Sequence, residues 1–230
     1  MIDADNIATP DGVLAIQPVD HASLVLSLGV HVLYVDPVGG AARYAGLPAP
    51  TGILITHEHG DHFDMATLEA LAATASPPLI TSPGVDARLP DRLKRRSTAL
   101  DYGDEAELDG IAVRAIPAHN TTPDRLRYHP RGLGNGYVLS LGGKRLYIAG
   151  DTEPTPEMLA LEGIDIAFLP MNLPHTMVAE QAAEAVKVFK PRIVYPFHYS
   201  RGPEAEKFAG LLQGFPGVEV RLRDWYALRR

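Results

Sequence analysis

Short runs of β-branched and aliphatic residues recur along the chain and set its rhythm. Residues 12–17, 22–28, 31–35 and 53–56 read as strands. The spacing then changes. Phe63, Leu68 and Leu71 fall on one face of a helix over 63–73, and residues 84–95 carry a second helical pattern. Strand patterns return at 111–118, 136–141, 145–149 and 164–169. A helix follows over 178–189, with Val186 and Phe189 on its apolar side. Residues 192–196 form a short buried strand, 204–212 a helix and 218–222 a closing strand. Gly29, Gly39, Gly40, Gly142, Gly143 and the pair Gly202, Pro203 mark the turns. Strands followed by helices, twice over, predict two sheets packed face to face with helices outside. This is a four-layer αββα sandwich of the α/β class. No low-complexity linker divides the halves, so the reading is one domain over residues 1–230. The most loop-like internal stretch is 123–134, and loops of that length are often functional.

Composition narrows the class. Apolar residues are 46% of the 230, enough for a sizeable core. No apolar run reaches the length of a membrane span. The net charge of −7 opposes nucleic-acid binding, which needs a basic surface. The one basic cluster, Arg92, Lys94, Arg95 and Arg96, reads as a solvated helix face. There is no cysteine, which removes disulfides, thiolate nucleophiles and thiolate metal sites together. The N-terminus is acidic and lacks an apolar segment, unlike a secretory signal. The expected compartment is the cytoplasm, and the expected partner is a small-molecule substrate.

The chemistry concentrates in Thr56–His62, THEHGDH, which supplies His57, His59, Asp61 and His62 just after the apolar run ending at Ile55. A strand that opens into a loop presents such side chains at a sheet edge. Imidazole nitrogen and carboxylate oxygen suit zinc and similar divalent ions. His57 and His59 can face one ion; Asp61 and His62, past the turn at Gly60, can face a second. Four residues do not close two sites, so further ligands are expected at strand ends. His119 follows the strand 111–118, Asp151 follows the run ending at Gly150, and His198 follows the run ending at Pro196.

With these residues in view, the chain resembles the metallo-β-lactamase superfamily. The phrases that carry the resemblance are THEHGDH, Pro117-Ala118-His119-Asn120, Ala149-Gly150-Asp151-Thr152 and Pro196-Phe197-His198-Tyr199. Tyr34-Val35-Asp36-Pro37, Gly136-Tyr137-Val138 and Leu169-Pro170-Met171 fit the branch of stand-alone hydrolases that includes ascorbate-6-phosphate lactonase. The resemblance implies the αββα fold of that superfamily. It implies His57, His59 and His119 on a first metal, Asp61, His62 and His198 on a second, and Asp151 bridging. Some relatives carry tyrosine where His119 stands. His129, in Tyr128-His129-Pro130, is therefore an alternative third ligand, and otherwise a residue placed to meet substrate.

The implied activity is that of a metal-dependent hydrolase. A divalent ion lowers the pKa of bound water from ~15.7 to ~7, so hydroxide becomes available at neutral pH. Two divalent cations outweigh two carboxylates and a hydroxide, so the site stays positive and attracts a carbonyl, carboxylate or phosphate oxygen. Asp151 or Asp61 is the candidate to carry the proton to the leaving group. Zinc leads among the metals, with manganese, iron and nickel also suited to the donor set. His175 and Asn120 are further candidates to touch substrate, and Asp36 and His21 to orient ligands from behind. The substrate is a small ester, lactone, amide or phosphodiester. The alternative is an iron-dependent oxidoreductase of the dioxygenase type on the same scaffold. Di-iron relatives carry a carboxylate where this chain has His59, which opposes the di-iron type. A nuclease lacks its usual inserted domain and basic surface here, and a ligand-binding module without catalysis is opposed by the intact ligand set.

Overall fold

The computed structural model describes residues 4–199 and 202–227. Among them, two seven-stranded sheets pack face to face, each built from strands consecutive in the chain. The first holds β1 (Asp5–Thr9), β2 (Gly12–Asp20), β3 (Ser23–Leu28), β4 (His31–Val35), β5 (Gly52–Ile55), β6 (Leu79–Thr81) and β7 (Ser97–Ala99). The second holds β8 (Glu105–Leu108), β9 (Ile111–Ala118), β10 (Gly134–Leu141), β11 (Lys144–Ile148), β12 (Ile166–Met171), β13 (Ile193–Tyr199) and β14 (Glu219–Val220). In each sheet the first four strands pair antiparallel and the rest pair parallel.

This arrangement decides where the chemistry lies. Two antiparallel steps restore direction, so β2, β4 and β5 all end at one rim of the first sheet. By the same count β9, β11, β12 and β13 end at one rim of the second. The rims are stitched together: Asn135 N donates to Thr56 O at 2.9 Å, and the Tyr137 hydroxyl donates to Ile55 O at 2.9 Å. Ligands of open α/β sheets gather beyond the carboxyl ends of such strands.

Three apolar clusters account for the four layers. Leu24, Leu26, Leu54, Leu139, Phe168 and Trp225 belong to the cluster between the sheets. A second cluster joins the outer face of the second sheet to α4 (Pro156–Leu159), α5 (Ala179–Phe189) and α6 (Glu204–Leu211) through Met158, Val186 and Phe208. A third joins the first sheet to α1 (Met65–Ala75), α2 (Pro83–Asp86) and α3 (Asp91–Lys94) through Leu68, Val85 and Leu93. Strands covered on both faces read as unbroken apolar runs, as in Gly52–Ile55 and Ile166–Met171. Asp64 caps α1, its carboxylate accepting from Ala66 N at 3.1 Å.

The αββα expectation holds. The expected helix over 84–95 is instead two short helices, because Pro90 cannot continue the first and precedes the second. The closing strand shrinks to Glu219–Val220. Strands β1, β6, β7 and β8 escaped the sequence pattern. Three are three to five residues long, and β8 reads Glu-Ala-Glu-Leu, a sequence with little strand propensity that pairing imposes. No described helix is long and apolar enough to cross a membrane.

Candidate metal centre

The first half of the centre is assembled around Asp36, the residue after β4. It sits in the left-handed region at φ 44°, which turns its buried carboxylate toward the neighbouring strand end. There it accepts from Thr56 N and Thr56 Oγ1, both at 2.7 Å, and from His62 Nδ1 at 2.7 Å. These contacts fix protons. A carboxylate only accepts, so Nδ1 of His62 carries hydrogen, and in the neutral ring the lone pair is on Nε2. Thr56 spends its hydrogen on Asp36 and therefore accepts from His57 Nδ1 at 3.0 Å, which leaves a lone pair on Nε2 of His57 as well.

The second half is centred on Asp151. Gly150 before it has φ 63°, and a Cβ there would lie 2.7 Å from Asn135 O, so only glycine lets the chain turn inward at this point. Asp151 Oδ1 then lies 3.3 Å from His62 Nε2. Its Oδ2 lies 3.2 Å from His129 Nε2, 3.3 Å from His198 Nε2 and 3.9 Å from His57 Nε2. His129 is oriented from behind: its Nδ1 faces Asn120 Oδ1 at 2.9 Å and His175 O at 3.1 Å, both acceptors. Its Nε2 also lies 3.1 Å from His59 Nδ1. Three groups of ligand atoms result, each within 4.8 Å: His57, His59 and His129; His57, His62 and Asp151; His21, Asp61 and His198.

The electrostatics match a centre built for cations. Burial, aided by the neighbouring His62, holds His57 well below its ordinary pKa, so it stays neutral. Burial and His129 lower His59 in the same way. Burial works to raise Asp151, but the charges of His198 and His62 outweigh it and the carboxylate stays ionised. Burial likewise works against Asp61, and contacts from His198 and His21 overcome it. His62 is the exception. Burial depresses it, yet Asp151 and Asp36 on either side raise it well above the ordinary value. A position flanked by two carboxylates calls for positive charge. His57 Nε2, His62 Nε2 and Asp151 Oδ1 are fully buried and lack a hydrogen-bond partner among the described residues. Native proteins seldom leave such atoms unsatisfied, and a divalent ion satisfies all three.

A family model described as a β-lactamase superfamily domain matches residues 31–199. The chain belongs to the metallo-β-lactamase superfamily. It is 30% identical over 201 residues to a UPF0173 metal-dependent hydrolase of Thermus thermophilus, an alignment covering 82% of this chain and 87% of the relative. A crystal structure from Parabacteroides distasonis, described as a metal-dependent hydrolase, superposes with TM-score 0.86 at 39% identity. It covers 97% of this chain and 99% of its own. The diiron β-hydroxylase CmlA of Streptomyces venezuelae shares the fold at TM-score 0.73 and 18% identity, over 90% of this chain and 52% of that one.

Within this superfamily fold the candidate residues fall as follows. His57, His59, Asp61, His62, Asp151 and His198 converge. His119, expected beside His57 and His59, is not grouped with them, although its buried Nε2 also lacks a hydrogen-bond partner among the described residues. Its Nδ1 is turned to Asn120 O at 2.9 Å, and it belongs to none of the three ligand groups. His129 stands there instead. Asn120 does not line the cleft: it is buried, and its amide bridges His129 and the His175 carbonyl. The His175 side chain does line the cleft, a space of about 450 Å³ over the cluster that Arg127, Tyr128 and Asn172 also border. Asp36 is hydrogen-bonded to His62, and His21 lies beside Asp61 and His198.

Sequence reasoning missed Arg127, Tyr128 and Glu153. The buried Glu153 carboxylate accepts from Thr121 N at 2.7 Å, Thr122 N at 2.6 Å and Arg125 Nη1 at 2.7 Å, which clamps the loop that delivers His129. A second acid directly after Gly150-Asp151-Thr152 was the only signal available.

Proposed function

We propose that this protein is a metal-dependent hydrolase that uses two divalent ions, zinc foremost, on a small ester, lactone, amide or phosphodiester. The observation that carries the reading is the convergence of the Nε2 atoms of His57, His62 and His129 on an ionised, buried Asp151. His57 Nε2, His62 Nε2 and Asp151 Oδ1 lack hydrogen-bond partners among the described residues, and a cation between them would satisfy all three. In this reading His57, His59 and His129 hold the first ion, Asp61, His62 and His198 the second, and Asp151 lies between. The relatives' description as metal-dependent hydrolases and the all-nitrogen-and-oxygen donor set both support it. Bound there, the ions would supply an ionised water at neutral pH and polarise the scissile carbonyl or phosphoryl oxygen.

The chain's own residues do the rest. Asp61 has a side chain 46% exposed at the cleft and is the acid–base group that can pass a proton to the leaving group. Asp151, buried at the floor of the cleft with His62, His129 and His198 around its carboxylate, serves to hold position. Tyr128 stacks edge-on to His175 with ring centres 4.7 Å apart, and Arg127 lies over the Tyr128 ring at 4.8 Å. Together they form a wall that orients a small substrate.

The test is metal analysis of the purified protein with a hydrolysis screen over lactones, esters, amides and phosphodiesters. Two ions per chain are expected, with turnover lost to a chelator and restored by zinc. A coloured, iron-loaded protein that consumes oxygen and hydrolyses none of these would replace the hydrolase with the iron oxidoreductase reading.

A further inference from the structure

We infer that His21 is an additional protein ligand of the second ion, held in that role by Tyr226. This rests on the two-ion reading above. His21 follows β2 at the same rim, with φ 50°, a backbone conformation uncommon for a residue with a side chain. It is stitched in on both sides: its N donates to Trp225 O at 3.2 Å, and its O accepts from His198 N at 3.0 Å. Trp225 is itself anchored, its Nε1 donating to Pro196 O at 2.8 Å. The C-terminal segment, the end of β2 and the end of β13 therefore form one unit around His21.

Proton accounting shows which ring nitrogen faces the centre. The Tyr226 hydroxyl donates its single hydrogen to Tyr199 O. It must then accept from His21 Nδ1, 2.7 Å away. In the neutral ring the lone pair of His21 is thus on Nε2, which points at Asp61 Oδ2 from 3.5 Å. His198 Nε2 lies 3.3 Å from the same oxygen, and the His21 and His198 rings pack against each other, tilted by 39°, with centres 3.9 Å apart. A hydrogen bond from Nε2 to Asp61 would require an imidazolium, with a proton on each nitrogen, packed 3.9 Å from the His198 ring, since Nδ1 cannot surrender its own proton. The phenol has no second hydrogen to offer. A cation shared by Nε2 of His21, Nε2 of His198 and the Asp61 carboxylate satisfies all three. Tyr226 is a positioning residue: it sets the tautomer from outside, as carboxylates and carbonyls do behind other ligand histidines.

The experiment compares wild type, His21→Ala and Tyr226→Phe, each loaded with zinc or cobalt(II). Metal per chain, zinc affinity by chelator competition and the cobalt absorption spectrum are the readouts, with melting of the metal-free proteins as the control for folding. His21→Ala is expected to weaken one ion by more than ~100-fold, beyond the range typical of an outer-shell partner, leave the other bound and change the cobalt spectrum. Tyr226→Phe keeps the ring in place and is expected to weaken the same ion by about 10-fold. Wild-type affinity and an unchanged cobalt spectrum in His21→Ala overturn the inference while leaving the two-ion centre standing. Should His21→Ala fail to fold, wild-type affinity in Tyr226→Phe overturns it. A wild-type protein that takes up a single ion removes the two-ion reading itself, a result visible before any variant is made.

Discussion

The two sheets supply their shares of the centre in opposite ways. The first sheet places His57, His59, Asp61 and His62 in one loop after β5, six residues from end to end. The second supplies His129, Asp151 and His198 from three segments spread over 70 residues, each turned inward by its own local device. For Asp151 it is the left-handed Gly150; for His198, a positive φ of its own; for His129, a loop clamped by Glu153 and Asn120. A contiguous cluster needs one strand end to be correct. A dispersed one needs every supporting contact, so the second half of the centre should be the more fragile.

The variants that test this contrast run from catalysis to stability. Asp151 touches both halves, so Asp151→Ala is expected to lower turnover by at least ~1000-fold, beyond the loss of a single oxyanion donor, and to empty most of the bound zinc. Retained metal in that variant, measured by elemental analysis, breaks the account of how the halves join. Next, His129→Ala should weaken the first ion by more than ~100-fold, while His119→Ala should stay within a few-fold of wild type, outside even the outer-shell range. The reverse order in chelator competition would return His119 to the centre.

That pair also shows what the sequence could tell. The sandwich, the strand ends and the THEHGDH loop were legible, because alternating apolar runs and a contiguous ligand cluster are local signals. The choice between His119 and His129 was not. Strand-end logic favours His119, which follows β9 directly. Its Nδ1 is engaged by the next carbonyl, and the loop folds back to bring His129 over Asp151. That return is fixed by Glu153, Thr121, Thr122 and Arg125, contacts between residues about 30 apart that no periodicity announces. His21 and Tyr226 are separated by 205 positions and were illegible as a pair for the same reason.

Smaller effects sharpen the comparison. Asp36→Asn leaves His62 without its anionic partner and should cost about 10–100-fold in zinc affinity at the second ion, read by the same competition. Glu153→Gln acts on the loop alone and should lower stability by about 1.5–3 kcal/mol, the worth of a hydrogen bond to a charged group. Its pH dependence has a definite sign. Burial works to raise the Glu153 carboxyl, but hydrogen bonds from Thr122 and Thr121 bring it below its ordinary 4.5. Stability from a depressed carboxylate is fully present above the ordinary value and lost as pH falls through the folded one. The difference in melting temperature between wild type and Glu153→Gln should therefore be constant above about pH 4.5 and shrink in acid. A difference that grows in acid contradicts the role given to Glu153.

The most direct measurement is a crystal structure of the zinc-loaded protein with anomalous data collected at the zinc edge. The account predicts two peaks about 3.5–4 Å apart on either side of the Asp151 carboxylate, one of them bound by His129. No peak beside Asp151, or a peak bound by His119 with His129 turned away, would contradict it.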